Sequence, residues 1–252
     1  MNKASPSAHE TVDISSYNGE HLIKVEEKGF QDAGIRRAFI RKVYTILCAQ
    51  FLVSIAVILG MQFTLKKNFH RDEALQNRIF IAQWVCLAVF LVIEIILVCF
   101  ERVRRKHPIN IIALAIFTFA LSGFTGCITL YYDFDAVLIA MGSTFGITLG
   151  LTLFACQTKI DFTSKITYLV DLVLVFLCFG AFSIIFWGKI MQVVFGMLGV
   201  LVFSLFLVYD TQLIIGGKLY YLSEEEYVCA ALSIYIDVIQ IFFYTLPISG
   251  SH

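Results

Sequence analysis

Charged residues are scarce in this chain, and prolines are scarcer. Of its 252 residues, 15% are Asp, Glu, Lys or Arg and three are proline, whereas 59% are hydrophobic and the mean hydropathy is +0.82. A water-soluble domain needs more surface charge than this composition supplies, so the chain is expected to be an integral membrane protein. Polar and apolar residues do not alternate over long stretches, which excludes a β-barrel and favours a helical bundle.

The sequence also lacks a signal peptide, paired cysteine motifs and a surface for nucleic acid. No secretory signal peptide precedes the first apolar run, which is expected to act as its own anchor. The seven cysteines lie in or beside apolar runs without the paired spacing of zinc sites or disulfide scaffolds, so packing is their expected role. No basic, aromatic-interleaved surface indicates nucleic acid as a partner, and no cofactor is expected.

Seven apolar runs are long enough to cross a membrane, because about 30 Å of hydrocarbon takes about 20 helical residues. They occupy residues 44–65, 79–100, 109–130, 136–156, 166–187, 190–215 and 228–246. We predict an all-α, polytopic membrane protein, a bundle of seven transmembrane helices whose last helix is central or, alternatively, re-entrant. The expected domains are a disordered cytosolic tail at 1–34 and the seven-helix transmembrane domain at 35–252.

Lys and Arg residues near the span ends predict the orientation. If the N-terminus is cytosolic, eleven of them lie on the cytosolic side and five on the opposite side. Positive charge is enriched on the cytosolic side of membrane proteins, so a cytosolic N-terminus is expected. Seven full spans would put the C-terminus outside, and a re-entrant last run would return it to the cytosol.

Four carboxylates interrupt the apolar runs, and no Lys or Arg lies at comparable depth. They are Glu94, Asp171, Asp210 and Asp237. An aspartate at the centre of a spanning helix costs about 2.5–3.5 kcal/mol, so each acid should face the bundle interior, water, a cation or another acid. Asp171 lies in the first turns of its span, where a structural role is favoured. Glu94 is deeper, and either contributes an oxygen to a cation path or bonds to a neighbouring helix.

Asp210 and Asp237 are expected to meet at similar depth, because a short loop makes their two spans antiparallel neighbours. Asp210 lies about 10 Å of helix from that loop and Asp237 about 15 Å. One polar stripe on the last span contains Ser233, Asp237, Gln240 and Tyr244. Two adjacent carboxylates in low dielectric should share a proton and titrate as a unit, which suits a pH sensor or a transient calcium site. The alternative is that each acid only makes a packing contact or a hydrogen bond to a neighbouring helix.

A basic run, ERVRRKHP at 101–108, ends the second span. The preference for positive charge on the cytosolic side accounts for it as a membrane anchor. Alternatively, one arginine can reach back along the helix and hold an ionised Asp210 like a latch, which protonation would release. The candidates for this latch are Arg102, Arg104 and Arg105.

Four stretches resemble the transmembrane Bax inhibitor motif family, and more closely its lifeguard or glutamate-receptor-associated branch. They are RRKHPINIIALAIFTFALSG at 104–123, GSTFGITLGLTLFACQTKIDFT at 142–163, SLFLVYDTQLIIGGK at 204–218 and EEEYVCAALSIYIDVIQIF at 224–242. The resemblance implies a protein of the endoplasmic reticulum, the Golgi or another membrane such as the plasma membrane, linked to calcium leak from stores and to suppression of cell death. It also implies that Asp210 and Asp237 form a pH-sensing pair, with a basic latch at the end of the second span.

Together these observations predict a proton-regulated passive calcium leak channel, with Asp210 and Asp237 as sensor and constriction. Further candidates for the ion path are Glu94, Ser233, Gln240 and Asp171. The expected partners are the lipid bilayer, calcium ions and protons, with membrane receptors or cell-death regulators in addition. A membrane regulatory protein that conducts nothing and binds such proteins is the alternative.

An intramembrane aspartyl protease is a remote alternative. Such enzymes also carry two aspartates on adjacent helices, and their Tyr-Asp motif is present at Tyr209 and Asp210. Their second motif requires Gly-x-Gly-Asp, whereas Tyr235 and Ile236 precede Asp237 here. The chain is therefore not expected to be an enzyme.

Overall fold

A computed structural model describes residues 33–100, 102–103, 106–185, 188–215 and 227–250, and the statements below concern these residues. The predicted cytosolic tail at 1–34 lies outside them except for its last two residues, which begin the first helix.

Seven long helices make up most of the described chain. They are α1 (Ala33–Phe69), α2 (Glu73–Cys99), α3 (Ile109–Thr129), α4 (Phe134–Gln157), α5 (Ile166–Ser183), α6 (Lys189–Ile215) and α7 (Tyr227–Ser249). A short 3-10 turn, Thr163–Lys165, leads into α5. Each of the seven is long and apolar enough to cross a membrane, which confirms the predicted all-α, polytopic fold.

Some helices extend beyond the predicted apolar runs, because the polar residues beside a run are also helical. α1 begins eleven residues before the predicted run, because its first turns are rich in Arg, Ala and Lys, which favour helix as well as water. α2 begins at Glu73 because the Asp72 carboxylate accepts hydrogen bonds from the backbone N–H groups of Ala74 at 2.9 Å and Leu75 at 3.2 Å. Hydropathy marks the part of a helix that lies in lipid and misses these extensions.

Helix α7 lies at the centre of the bundle. In its apolar stretch 67% of the residues are buried, compared with at most 50% in any other spanning helix. It packs against α1, α3, α4 and α6. The segment is one continuous helix of 23 residues, so the central alternative holds and the re-entrant one does not.

Two glycines bring α6 against α7. A Cβ atom added to Gly196 would lie 2.7 Å from the carbonyl oxygen of Tyr244, and one added to Gly199 would overlap the Tyr244 ring. Small residues of this kind let membrane helices approach closely, where dispersion forces stabilise the pair. The α6 face that carries the two glycines is therefore the face that meets α7.

Buried hydroxyl groups tie α7 to two other helices. The Tyr235 hydroxyl of α7 lies 2.7 Å from the Ser54 hydroxyl of α1 and 3.2 Å from the Ser122 hydroxyl of α3. The two serine hydroxyls lie 3.0 Å apart. Since lipid offers no competing hydrogen bonds, this triad fixes the position of α7 about half a turn before Asp237.

Candidate functional site

The carboxyl groups of Asp210 on α6 and Asp237 on α7 are neighbours that interact electrostatically. Their helices are joined through residues 216–226 and pack directly against each other through the glycine face. The two acids are therefore neighbours on packed helices, and their role as a pH sensor stays a prediction. Two groups that must avoid lipid face each other inside the bundle.

The surroundings of the pair are poor in compensating charge. Asp237 is only 6% exposed, and its Oδ2 atom has no hydrogen-bond donor within the described part of the chain. Asp210 is half-buried, and the Ser233 side chain lies beside it. Neither acid forms an ion pair with a described Lys or Arg. Two negative charges at this distance in low dielectric repel strongly, so the pair is most stable when it shares a proton.

The polar residues of the α7 stripe face two different sites, the acid pair and a cavity. Ser233 and Asp237 face Asp210, whereas Gln240, one turn further along α7, lines a cavity of about 480 Å³ between α2, α3 and α7. Glu94 of α2 lines the same cavity, half-buried. Glu94 and Gln240 therefore line one cavity, and Gln240 lies within one helical turn of Asp237 along α7.

The remaining predicted site residues lie apart from the acid pair. Asp171 is exposed on α5, which suits the structural role that its position near a helix start favours. Arg102 is exposed in the short helical segment after α2. Arg104 and Arg105 lie outside the described residues. The arginine latch stays a prediction.

One contact beside the pair escaped the sequence reasoning. Gln212, two residues after Asp210, accepts a hydrogen bond from the Phe162 backbone N–H at 2.8 Å and donates one to the Ile160 carbonyl at 2.9 Å. It thus ties the α4–α5 connection (residues 158–162) to the end of α6. In the sequence Gln212 is only an amide side chain near the end of an apolar run, and this does not predict which backbone groups it bonds to.

The chemistry open to the pair is exchange of protons and brief contact with a cation. Calcium in a resident site takes about six to eight oxygen ligands, and two carboxylates supply at most four. Across the described ranges, no group of three or more His, Cys, Asp or Glu side chains converges on one point. Two acids and a serine hydroxyl therefore supply fewer oxygen ligands than a resident calcium site requires.

Comparison with known proteins agrees with the resemblance drawn from the motifs. The family described as "Inhibitor of apoptosis-promoting Bax1" matches residues 36–252. The chain is 36% identical to protein lifeguard 3 of Homo sapiens over 244 residues, which cover 93% of this chain and 76% of that protein. The mouse protein lifeguard 3 is 37% identical over 229 residues, covering 88% and 72%. Protein lifeguard 4 of Mus musculus is 33% identical over 213 residues, covering 84% of each chain.

The match runs through all seven spanning helices and includes both helices that carry the acid pair. The chain therefore belongs to the Bax inhibitor family of multi-pass membrane proteins, which is linked to the regulation of cell death, and within it resembles the lifeguard proteins.

Proposed function

We propose that this protein is a proton-regulated passive calcium leak channel, with Asp210 and Asp237 as its sensor and constriction. The observation that carries the proposal is the contact between two acids of adjacent helices, one of them on the most buried helix of the bundle. An arrangement that is unfavourable in a membrane is retained for function more often than for stability.

Oxygen-bearing side chains continue from the pair in both directions along α7. Ser233 lies beside Asp210 on one side, and Gln240 leads to Glu94 on the other. Such a series offers a calcium ion successive oxygen ligands in place of part of its water shell. This supports a route along the central helix, with the pair as its narrowest charged point.

Protons regulate the route because they set the charge of the two carboxyl groups at its narrowest point. We extend the proposal to a latch formed by one arginine after α2, which holds the ionised pair closed. On that proposal, acid releases the latch and raises calcium efflux.

The cell-death role of the family supports a site of action on intracellular calcium stores. We propose the endoplasmic reticulum or Golgi membrane as its location, with the plasma membrane as the alternative, and a cytosolic N-terminus. We also propose that the protein is not an enzyme. The glycines that let an aspartyl protease approach a peptide backbone are replaced by Ile234 and Ile236 before Asp237.

The direct test is calcium efflux from proteoliposomes that contain the full chain, measured between about pH 5 and pH 8 with a dye outside the vesicles. Asp237→Asn keeps the shape of the side chain and removes its charge. We expect its efflux to fall by about tenfold, the effect of roughly 1.4 kcal/mol on the barrier, and to lose its pH dependence.

Asp171→Asn is the matched control, because it removes an acid from a spanning helix at an exposed position. It should behave like the wild type. Efflux no faster than from empty vesicles at every pH would overturn the channel proposal, and would favour a regulator that binds receptors or cell-death proteins without conducting ions.

A further inference from the structure

The cavity between α2, α3 and α7 combines one carboxylate with an aromatic wall. Its volume is about 480 Å³, and the polar groups that line it include the Glu94 carboxylate and the Gln240 amide. The aromatic side chains that line it are Phe90, Phe117, Phe124, Phe243 and Tyr244. A cavity of this size and composition is typical of sites for small, largely apolar ligands.

The aromatic wall is preorganised by contacts between its own rings. The Phe90 ring lies edge-on to Phe117 with centroids 6.1 Å apart and tilted against Phe124 at 5.6 Å. Phe124 in turn lies edge-on to Phe243 at 5.7 Å. Rings held in this way lose little entropy when a ligand binds, and their faces attract cations.

The Glu94 carboxylate lacks a partner of opposite charge. No described Lys, Arg or His forms an ion pair with it, and no described side chain donates a hydrogen bond to it. A carboxylate inside the membrane is stabilised by a cationic group that is attached to an apolar chain. Calcium does not fit this description, because one carboxylate and one amide among phenyl rings offer too few oxygens.

The cavity is reached from the bilayer rather than from water. Leu91, which lines it, is 43% exposed on α2, a helix whose other outward side chains are also apolar and exposed. Between Phe117 and Ile128 of α3 the lining extends over about 16 Å of helix. A chain-like molecule dissolved in the membrane can therefore enter sideways and lie along the wall.

We propose that this cavity binds a lipophilic amine, with its ammonium group on Glu94 and its hydrocarbon chain along the phenylalanine wall. The Gln240 carbonyl accepts a second ammonium hydrogen, and the ring faces stabilise the remaining positive charge. The ligand class is a long-chain alkyl amine or amino alcohol from the membrane. Because Gln240 lies one turn from Asp237, the bound amine would also occupy the approach to the acid pair.

The proposed amine site depends only on the cavity, and it does not require that the protein conducts calcium. The test uses an octadecylamine that carries a diazirine in its chain and a terminal alkyne, with the corresponding octadecanol as the neutral probe. Full-length protein in lipid nanodiscs is photolabelled with each, and the modified peptides are mapped by mass spectrometry. Octadecylamine without the diazirine serves as competitor.

We expect the amine probe to label the 117–128 and 236–244 segments at least about tenfold more than the alcohol, as a charge-assisted hydrogen bond to a carboxylate would require. Glu94→Gln should reduce labelling by the amine to the level of the alcohol, and Glu94→Asp should retain part of it. Asp171→Asn, the matched control, should leave the labelling unchanged.

Equal labelling of the wild type by the amine and the alcohol would overturn the proposal, because it would show adventitious lipid binding only. This comparison needs no variant. Equal amine labelling of Glu94→Gln and wild type would also overturn it. The melting temperature of each variant in detergent shows whether its fold is intact, so loss of binding is separated from loss of structure.

Discussion

At the scale of single residues, Asp237 is a buried acid whose nearest charged neighbour is another acid. Its 6% exposure and its orphaned Oδ2 atom describe a side chain that raises the free energy of the folded state. Tyr235, two residues earlier on the same helix, does the opposite, because its hydroxyl bonds to Ser54 and Ser122. On the proposed function, neighbouring residues on one helix would serve activity and stability separately.

This contrast predicts opposite effects on stability. Asp237→Asn removes a carboxyl group that is costly to bury and lets the new amide donate to Asp210, so its melting temperature in detergent at neutral pH should equal or exceed that of the wild type. Tyr235→Phe removes two buried hydrogen bonds and should lower the free energy of unfolding by about 1 kcal/mol. Should Asp237→Asn melt at as low a temperature as Tyr235→Phe, the acid would have a structural role.

At the scale of helices, the contact between α6 and α7 depends on two positions without a side chain. Gly199→Ala would drive a methyl group into the Tyr244 ring, so we expect a loss of about 1–3 kcal/mol in stability and slower or absent calcium efflux. Gly146→Ala on α4 is the matched control, because a Cβ there has no neighbour within 4 Å. Thermal melting followed by fluorescence compares the two, and a stable Gly199→Ala protein would show that the close approach is unnecessary.

Helix α6 also holds the α4–α5 connection through one amide. Gln212→Leu removes both hydrogen bonds to Ile160 and Phe162, so the connection should open more often and trypsin should cut after Lys159 several-fold faster. Gln192→Leu, near the start of the same helix, is the control. Unchanged cleavage would mean that packing rather than Gln212 holds the connection.

The helices and the acid pair were predictable from the sequence, whereas the cavity around Glu94 was not. Hydropathy located all seven helices because lipid selects apolar side chains along the whole of each crossing. The meeting of Asp210 with Asp237 followed from helix rise and one short loop, which are local quantities. The cavity around Glu94 was not predictable, since it depends on which face of α2 turns towards α3 and α7, and periodicity on a uniformly apolar helix does not mark that face.

At the scale of the whole molecule, the distribution of Lys and Arg predicts how the bundle lies in the membrane. A tag fused to the N-terminus should be digested when protease is added to intact microsomes, and a tag after the last residue should be protected. The physical reason is the greater number of basic residues on the N-terminal side. The opposite pattern of protection would reverse the orientation and place the Ser233 side of the pair away from the cytosol.

The whole bundle is arranged around α7, which contributes Asp237 to the acid pair and Gln240 to the aromatic cavity. Four of the other helices pack directly on α7. A proton at the pair and an amine in the cavity would therefore act on the same helix, one turn apart. Together the two proposals would give the protein two chemical inputs on a single helix.

The central claim is that Asp210 and Asp237 act as one unit that shares a proton. A double-mutant cycle on calcium efflux in proteoliposomes measures this directly, using Asp210→Asn, Asp237→Asn and the double variant across about pH 5 to pH 8. We predict that each single variant loses the pH dependence, and that the double variant loses no more than either single one. Losses that multiply as for independent sites, or a pH dependence that survives in the double variant, would contradict it.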